Sequence, residues 1–337
     1  MPLSVIRFDM RCPGMTPAEA QRHYSAALDM AAFADEAGFD VCVLSEHHGA
    51  EDGYLPSPLI MAAAVAGRTT RIPLNVAAML VPLHDPIRLA EDIAVLDLLS
   101  RGRISIVAGL GYRPAEYEMF QRSWRTRGAD LEDCLEVMLE AWTGEPFEYK
   151  GKTVQVTPKP FQQPHPMIMI GGSAPASARR AARFGFGFYP PVGDNRLSQL
   201  YHEECERLGN PPGWVTVPDG PGTLFVSRDP DRTWDEIGPY LLHDATTYHA
   251  WQRDDNRMEG NVQASAVESH ASTVDELRAE GVFQILTPEQ CLDLVEDLGP
   301  FSPLTNHPLC GGCPIEAGWS SLHLFAQEVM PHLKART

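Results

Sequence analysis

The apolar run from Phe39 to Leu44 stops at Ser45, Glu46, His47 and His48, and Gly49 follows. A buried strand looks like this when it ends at a pocket, because the first residues past the sheet are free of packing duty. Upstream, Pro17 opens a stretch with small apolar residues at Ala20, Tyr24, Ala27, Ala31 and Ala34. That spacing of four and three marks one buried helical face, and Gly38 ends it. Before the helix, Leu3 to Phe8 is β-rich. Strand, helix and strand within the first 44 residues form a βαβ unit, which requires a parallel sheet with a helical crossover.

The unit recurs. Pro58 to Gly67 reads as a helix of small residues and Ile72 to Val81 as a strand. Asp85 and Pro86 are an N-cap and a first helical residue, and Ile87, Ala90, Ala94 and Leu98 carry that helix to Ser100. Arg103 to Gly109 is strand again, and Leu131, Leu135, Met138 and Trp142 stripe the next helix. Farther on, Glu148 to Pro160 suggests a hairpin-like excursion, Met167 to Gly171 a strand, Ser173 to Phe184 a helix, and Phe186 to Pro190 and Gly222 to Val226 further strands. Residues 244–281 are rich in charge and histidine with little periodicity, and read as an insertion or long loop. A strand is expected at Val282 to Leu286, another near Leu309, and a last helix to Leu333. Roughly eight strand–helix units predict a (β/α)8 TIM barrel. We expect a single domain over 1–337 with insertions near 145–165 and 230–281.

Composition narrows the function. The chain has 337 residues, is 44% hydrophobic and carries a formal net charge of −18. No basic tract offers the Lys/Arg face that phosphate neutralisation needs, so nucleic acid is not an expected partner. The longest apolar run, Leu59 to Val65, is far short of the ~20 residues of a membrane span. Seven dispersed cysteines and no signal-peptide pattern at Met1 to Thr16 suggest reduced thiols and a cytoplasmic location.

In a barrel, side chains at the C-terminal ends of strands face the active site, which puts Glu46, His47 and His48 forward as catalytic candidates; histidine exchanges protons near neutral pH. Gly171, Gly172 and Ser173 lie between a late strand and a helix, where backbone N–H groups suit a phosphate. They do not form a dinucleotide fingerprint, and there is no Walker loop. Ala77 and Ala78 leave room for something flat at a strand end. Cys310 and Cys313 have redox-pair spacing without the early, pre-helical setting of a redox motif. No second Cys-x-x-Cys completes a zinc site, adjacent histidines on a strand point apart, and no metal is expected.

Taken in order, these pieces resemble the bacterial luciferase-like, flavin-dependent monooxygenase family. The resemblance rests on Glu46-His47-His48, Leu74 to Ala78, His84 to Arg88, Leu96 to Arg103, Gly171-Gly172-Ser173 and Val329 to Leu333. It implies a barrel holding reduced FMN at its C-terminal mouth, with dioxygen as co-substrate and a small organic substrate, such as a carbonyl compound. It implies that His47 is the active-site histidine, and that Ala77 and Ala78 are joined by a non-proline cis peptide behind the flavin ring. Ser173 with the Gly172 backbone then cradles the phosphate, Arg127 faces it, and Tyr112 and Gly109 lie beside the flavin.

The departures open the substrate. Light-emitting members carry an arginine where this chain has Gly109, a reactive cysteine at Ala108 and a glutamate at Gly172. A branch of the family uses an 8-hydroxy-5-deazaflavin coenzyme for hydride transfer, and its acidic tail would need a local basic rim, for which Arg179, Arg180 and Arg183 are the candidates. Other readings are a flavin-binding protein without catalysis and a metal-dependent barrel hydrolase. With no nicotinamide site evident, the resemblance implies a separate NAD(P)H-dependent flavin reductase as partner, and a homodimer; the apolar stretches at Leu59 to Gly67 and Ile87 to Leu99 suit either that contact or ordinary barrel packing.

Overall fold

The computed structural model describes residues 1–191, 195–216, 219–253, 267 and 269–334. Its first half is the repeating unit read above. Strand β1 (Leu3–Phe8) leads into α1 (Pro17–Ala37), where Thr16 and Glu19 form a reciprocal capping box and Gly38 closes the helix in the left-handed conformation. β2 (Val41–Leu44) and α2 (Pro58–Arg68) follow. The turn after α2 is pinned by Asp35, whose carboxylate accepts from the backbone N–H groups of Thr70, Arg71 and Ile72. β3 (Leu74–Leu80) and α3 (Pro86–Ser100) come next, with Asp85 accepting from the N–H groups of Ile87 and Arg88. β4 (Ile104–Gly109) then leads to the short α4 (Pro114–Met119) and to α5 (Arg127–Trp142).

The expected excursion is a two-stranded antiparallel hairpin, β5 (Phe147–Tyr149) and β6 (Lys152–Val154), outside the main sheet. β7 (Met167–Gly171), α6 (Pro175–Phe184), β8 (Gly187–Tyr189) and α7 (Asn195–Leu208) resume the alternation. The chain then runs through β9 (Thr223–Val226), α8 (Pro230–Arg253), α9 (Val274–Glu280), β10 (Phe283–Leu286), α10 (Pro288–Asp297) and β11 (Pro303–Asn306). After a 3-10 turn at Cys310–Gly312, α11 (Ile315–Leu324) and α12 (Met330–Lys334) end it.

Nine strands form one parallel sheet in the order β10-β9-β11-β1-β2-β3-β4-β7-β8. The architecture is α/β and TIM-barrel-like; each of the nine strand segments read from the sequence finds a counterpart in the sheet, one more than the roughly eight units counted, and β10 pairs along the outer side of β9. Two other expectations need correction. Residues 244–253 are the end of α8 and 274–280 are α9, so the segment read as a long loop is helical at both ends; residues 254–266 lie outside the described residues. The strand expected near Leu309 is β11, and Leu309 itself begins the 3-10 turn, because Gly311 with φ of 60° breaks the extended path.

The packing behind the site is apolar and continuous. Ile6, Phe8, Leu44, Val76 and Ile106 are buried in one cluster with helix residues such as Ala31, Ala62 and Ile93, and Trp142 on α5 donates from its indole to the Ala90 carbonyl on α3 at 3.0 Å. All nine strands run parallel, so their C-terminal ends share one edge, and the candidate residues sit there.

Candidate active site

His47 lies just past β2 and is held from both sides. Its Nδ1 is 2.8 Å from Oε1 of Glu116, a residue of α4, and its Nε2 is 3.2 Å from the Tyr112 hydroxyl. The same Glu116 oxygen accepts from the backbone N–H of His48 at 2.9 Å and from Arg113 Nη1 at 3.3 Å. Arg113 also donates to the His48 carbonyl at 2.8 Å, which fastens α4 to the β2 loop. Burial pushes the His47 imidazole below its ordinary pKa, and the Glu116 carboxylate only partly offsets this. Burial also acts to raise Glu116, but hydrogen bonds from His47 and from the His48 N–H hold it below the carboxylate norm. The pair is therefore a neutral imidazole beside a carboxylate. Glu116 accepts Nδ1–H, leaving the Nε2 lone pair to accept from Tyr112 or from a ligand.

Glu46 faces the other way. Its Oε1 lies 3.0 Å from His48 Nε2 and 2.8 Å from His84 Nε2, while Oε2 accepts from the Leu80 N–H at 2.6 Å. Burial would raise this carboxyl, but the hydrogen bonds from His48 and His84 and from the Leu80 amide bring its pKa down to about 2. Glu46 thus ties the β2 loop to the end of β3.

At that end the Ala77–Ala78 peptide is cis, as the resemblance implied, and the β3–β4 register slips between Ala77 and Met79. Gly109 of β4 sits against it: a Cβ there would come within 2.8 Å of the Ala78 Cβ. The two small residues and the glycine form a bare shelf beside Glu46. Across the sheet edge, Gly171 ends β7, and Gly172 has a φ of 148° with no room for a Cβ against the Ser177 side chain. Ser173 leads into α6, whose N-terminus has no side-chain cap; Pro175 brings no N–H and the Ser177 N–H donates to the Ala174 carbonyl at 2.9 Å. Arg127, at the start of α5, is joined to Trp124, stacking on its ring at 3.7 Å and donating to its carbonyl at 2.7 Å. Its Nε is buried without a hydrogen-bond partner among the described residues.

Glu46, His47, His48 and Tyr112 thus form one connected group with Ala77, Ala78 and Gly109 alongside. Gly171, Gly172 and Ser173 form a separate turn, and no contact among the described residues joins Arg127 to it. The proposed basic rim is largely committed: Arg180 and Arg183 both pair with Glu132, and Arg179 and Arg207 with Glu204.

Sequence reading missed a second set. The ring of His47 packs against Tyr54 at 4.8 Å and Trp251 at 4.9 Å, with Tyr248 at 6.3 Å. The Arg11 guanidinium lies 4.7 to 4.8 Å from the centres of Tyr54, Tyr248 and Trp251 and pairs with Asp9, Asp52 and Asp244. Arg113 stacks on Trp251 at 4.1 Å. Tyr248 and Trp251 come from the end of α8, in the stretch read as loop. Two groups also have ligand atoms within 4.8 Å of one another, as a metal site would need: Glu46, His48 and His84, and Asp244, His307 and Cys310.

Comparison with known proteins bears on the family and the fold. The family model described as luciferase-like monooxygenase matches residues 4–299. The chain is 26% identical over 199 residues to the oxygenase component of a flavin-dependent trigonelline monooxygenase from Acinetobacter baylyi, covering 55% of each. The chain spans about half the length of several curated relatives it matches. Monooxygenase RslO1 from Streptomyces bottropensis superposes with a TM-score of 0.77 at 25% identity, covering 99% of this chain and 100% of that one. The fold is shared with the oxygenating constituent of 3,6-diketocamphane monooxygenase from Pseudomonas putida, a complex with FMN, at TM-score 0.74 and 22% identity over 98% and 99% of the chains. An F420-dependent secondary alcohol dehydrogenase shares it at TM-score 0.67 and 15% identity over 98% of both.

Proposed function

Since the chain belongs to the luciferase-like monooxygenase family, we propose that it uses reduced FMN and dioxygen to oxygenate a small organic substrate such as a carbonyl compound. The observation that carries this reading is the buried His47, hydrogen-bonded to Glu116 at 2.8 Å, at the same strand-end edge as the small residues Ala77, Ala78 and Gly109.

The residues fit the cofactor. A flat ring needs a surface without side chains, which the shelf provides. A phosphate needs donors, for which the Ser173 hydroxyl and the backbone of the Gly172 turn, where no Cβ fits, are the candidates. FMN, when bound and reduced, supplies the electrons that activate dioxygen. His47 Nε2 takes up and returns the proton of the reacting oxygen, Glu116 fixes its tautomer, and Tyr112 hands its hydroxyl hydrogen bond from His47 to the ligand. Tyr54, Tyr248 and Trp251 close the space over His47 and keep out water.

The deazaflavin reading is less well supported, because Glu132 and Glu204 take up the arginines its acidic tail would need. A relative named as an oxygenase component favours a separate NAD(P)H-dependent reductase as the source of reduced FMN. We further propose a single domain, a homodimer and a cytoplasmic location; no helix among the described residues is long and apolar enough to cross a membrane.

The test is an anaerobic titration of the purified chain with reduced FMN and, separately, with the reduced deazaflavin, followed by oxygen and a panel of ketones and aldehydes. Preferential FMN binding with oxygenated product supports the proposal. Preference for the deazaflavin, or hydride transfer without oxygen uptake, overturns it.

A further inference from the structure

Asp244, His307 and Cys310 are all fully buried, and their ligand atoms lie within 4.8 Å of one another. They come from distant parts of the chain: Asp244 from α8, His307 from the end of β11, Cys310 from the turn that follows. That turn is shaped to meet α8. Cys310 donates its N–H to the His307 carbonyl at 3.1 Å, and Gly311, with φ of 60°, abuts the Tyr240 carbonyl so closely that a Cβ has no place. Tyr240 and Asp244 are one helical turn apart on the same face of α8.

The group is short of hydrogen bonds. Both oxygens of Asp244, both ring nitrogens of His307 and Oδ2 of Asp9 are buried with no hydrogen-bond partner among the described residues. Nearby cations do not satisfy them. Arg11 Nε approaches Asp244 Oδ1 at 2.7 Å and Asp9 Oδ2 at 3.4 Å without hydrogen-bond geometry, and His307 Nε2 is 3.3 Å from Asp9 Oδ1. Buried groups of this kind are satisfied by something, usually water or an ion. Three carboxylates, Asp9, Asp52 and Asp244, meet here with the guanidiniums of Arg7 and Arg11 and the imidazoles of His243 and His307, so the cluster is rich in ligand atoms for a cation. The contrasting trio of Glu46, His48 and His84 needs no ion, because its ligand atoms already hydrogen-bond one another.

We propose that Asp244, His307 and Cys310 bind a zinc ion. One sulfur, one nitrogen and one oxygen at about 2.0–2.3 Å fill three corners of a tetrahedral zinc set. The ligands come from α8, the end of β11 and the Cys310 turn, so the ion pins α8 to that turn and thereby holds Tyr248 and Trp251 against His47. The inference is independent of which flavin is used.

The experiment is metal analysis of the full-length protein, followed by chelation and titration with Co2+, whose bond to a thiolate gives a charge-transfer absorption in the near ultraviolet. About one zinc per chain, and a cobalt band that saturates at one equivalent, are expected for the native protein and for Cys313→Ser. Cys310→Ser is expected to lose the band, and His307→Ala to weaken cobalt binding at least tenfold. A native protein that takes up no metal, or a band that survives in Cys310→Ser, overturns the proposal. The native measurement decides even if a variant does not fold.

Discussion

Glu46 places one buried carboxylate under two imidazoles and a backbone amide, and this makes a pH prediction. Its pKa is about 2 in the folded chain against an ordinary 4.5. Between those values the unfolded chain binds more protons, so stability is fully present above about pH 4.5 and is lost as pH falls toward 2. The difference is worth about 3 kcal/mol. Glu46→Gln should be less stable at pH 7 and show a flatter stability profile between pH 4.5 and 2, measured by urea unfolding across pH; an unchanged profile would rule this out. At His47 the expectation is kinetic. His47→Ala should keep FMN affinity within a few-fold while product per flavin oxidised falls roughly 100-fold or more. Glu116→Gln keeps a hydrogen-bond acceptor but removes the charge that raises the His47 pKa, so the acidic limb of the kcat profile should move to lower pH. The histidine was legible because it ends an apolar strand. Glu116 was not: it lies 69 positions away on a short helix, and nothing local distinguishes it from a surface glutamate.

Elements with signals written into neighbouring residues were readable, and those set by distant contacts were not. Asp85 with Pro86, and Thr16 with Pro17 and Glu19, state a helix start within four residues, and Gly38 states an end. The end of α8 hides for a physical reason. Its buried stripe of Trp234, Ile237, Leu241, Ala245 and Tyr248 keeps a spacing of three and four, but Asp244, buried against Arg11, interrupts it with a charge and masks the period in the sequence. The ninth strand hides differently: Phe283 to Leu286 reads as a strand, but its pairing outside β9 is a property of the assembled sheet. The Cys310 turn belongs to this scale. Gly311→Ala places a Cβ at φ of 60° against the Tyr240 backbone, which cannot yield, and should cost roughly 3 kcal/mol. Gly14 has a similar φ of 69° with nothing within 4 Å, so Gly14→Ala should cost only about 1 kcal/mol. Denaturant midpoints of the two variants test whether crowding or backbone conformation dominates; equal losses would show that the contact with α8 is slack.

Across the whole molecule, the surface feature that stands out is an apolar one on an acidic chain. Ile60 on α2 is 74% exposed, and Val95, Leu98 and Leu99 on α3 are 44%, 41% and 59% exposed. Val95, Leu98 and Leu99 fall at the three- and four-residue spacing of one helix face, and Ile60 lies on α2, which packs beside α3. Burying such side chains is worth about 1.5–3 kcal/mol each when the burial is complete, and contiguous exposed apolar surface marks an interaction site. These helices carry the apolar stretches that suited either self-association or barrel packing in the sequence, and a second copy meeting the same patch across a two-fold axis covers it without leaving a free copy of the surface. Light scattering on the eluting protein should give twice the chain mass. Ile60→Glu with Leu99→Glu should give the single-chain mass, since each subunit then brings two buried carboxylates to the contact. Both side chains are exposed on outer helices whereas His47 is buried, so the double variant should keep its FMN affinity. A native protein of single-chain mass would mean that the patch meets another partner, and a double variant that stays dimeric would move the interface elsewhere on the barrel.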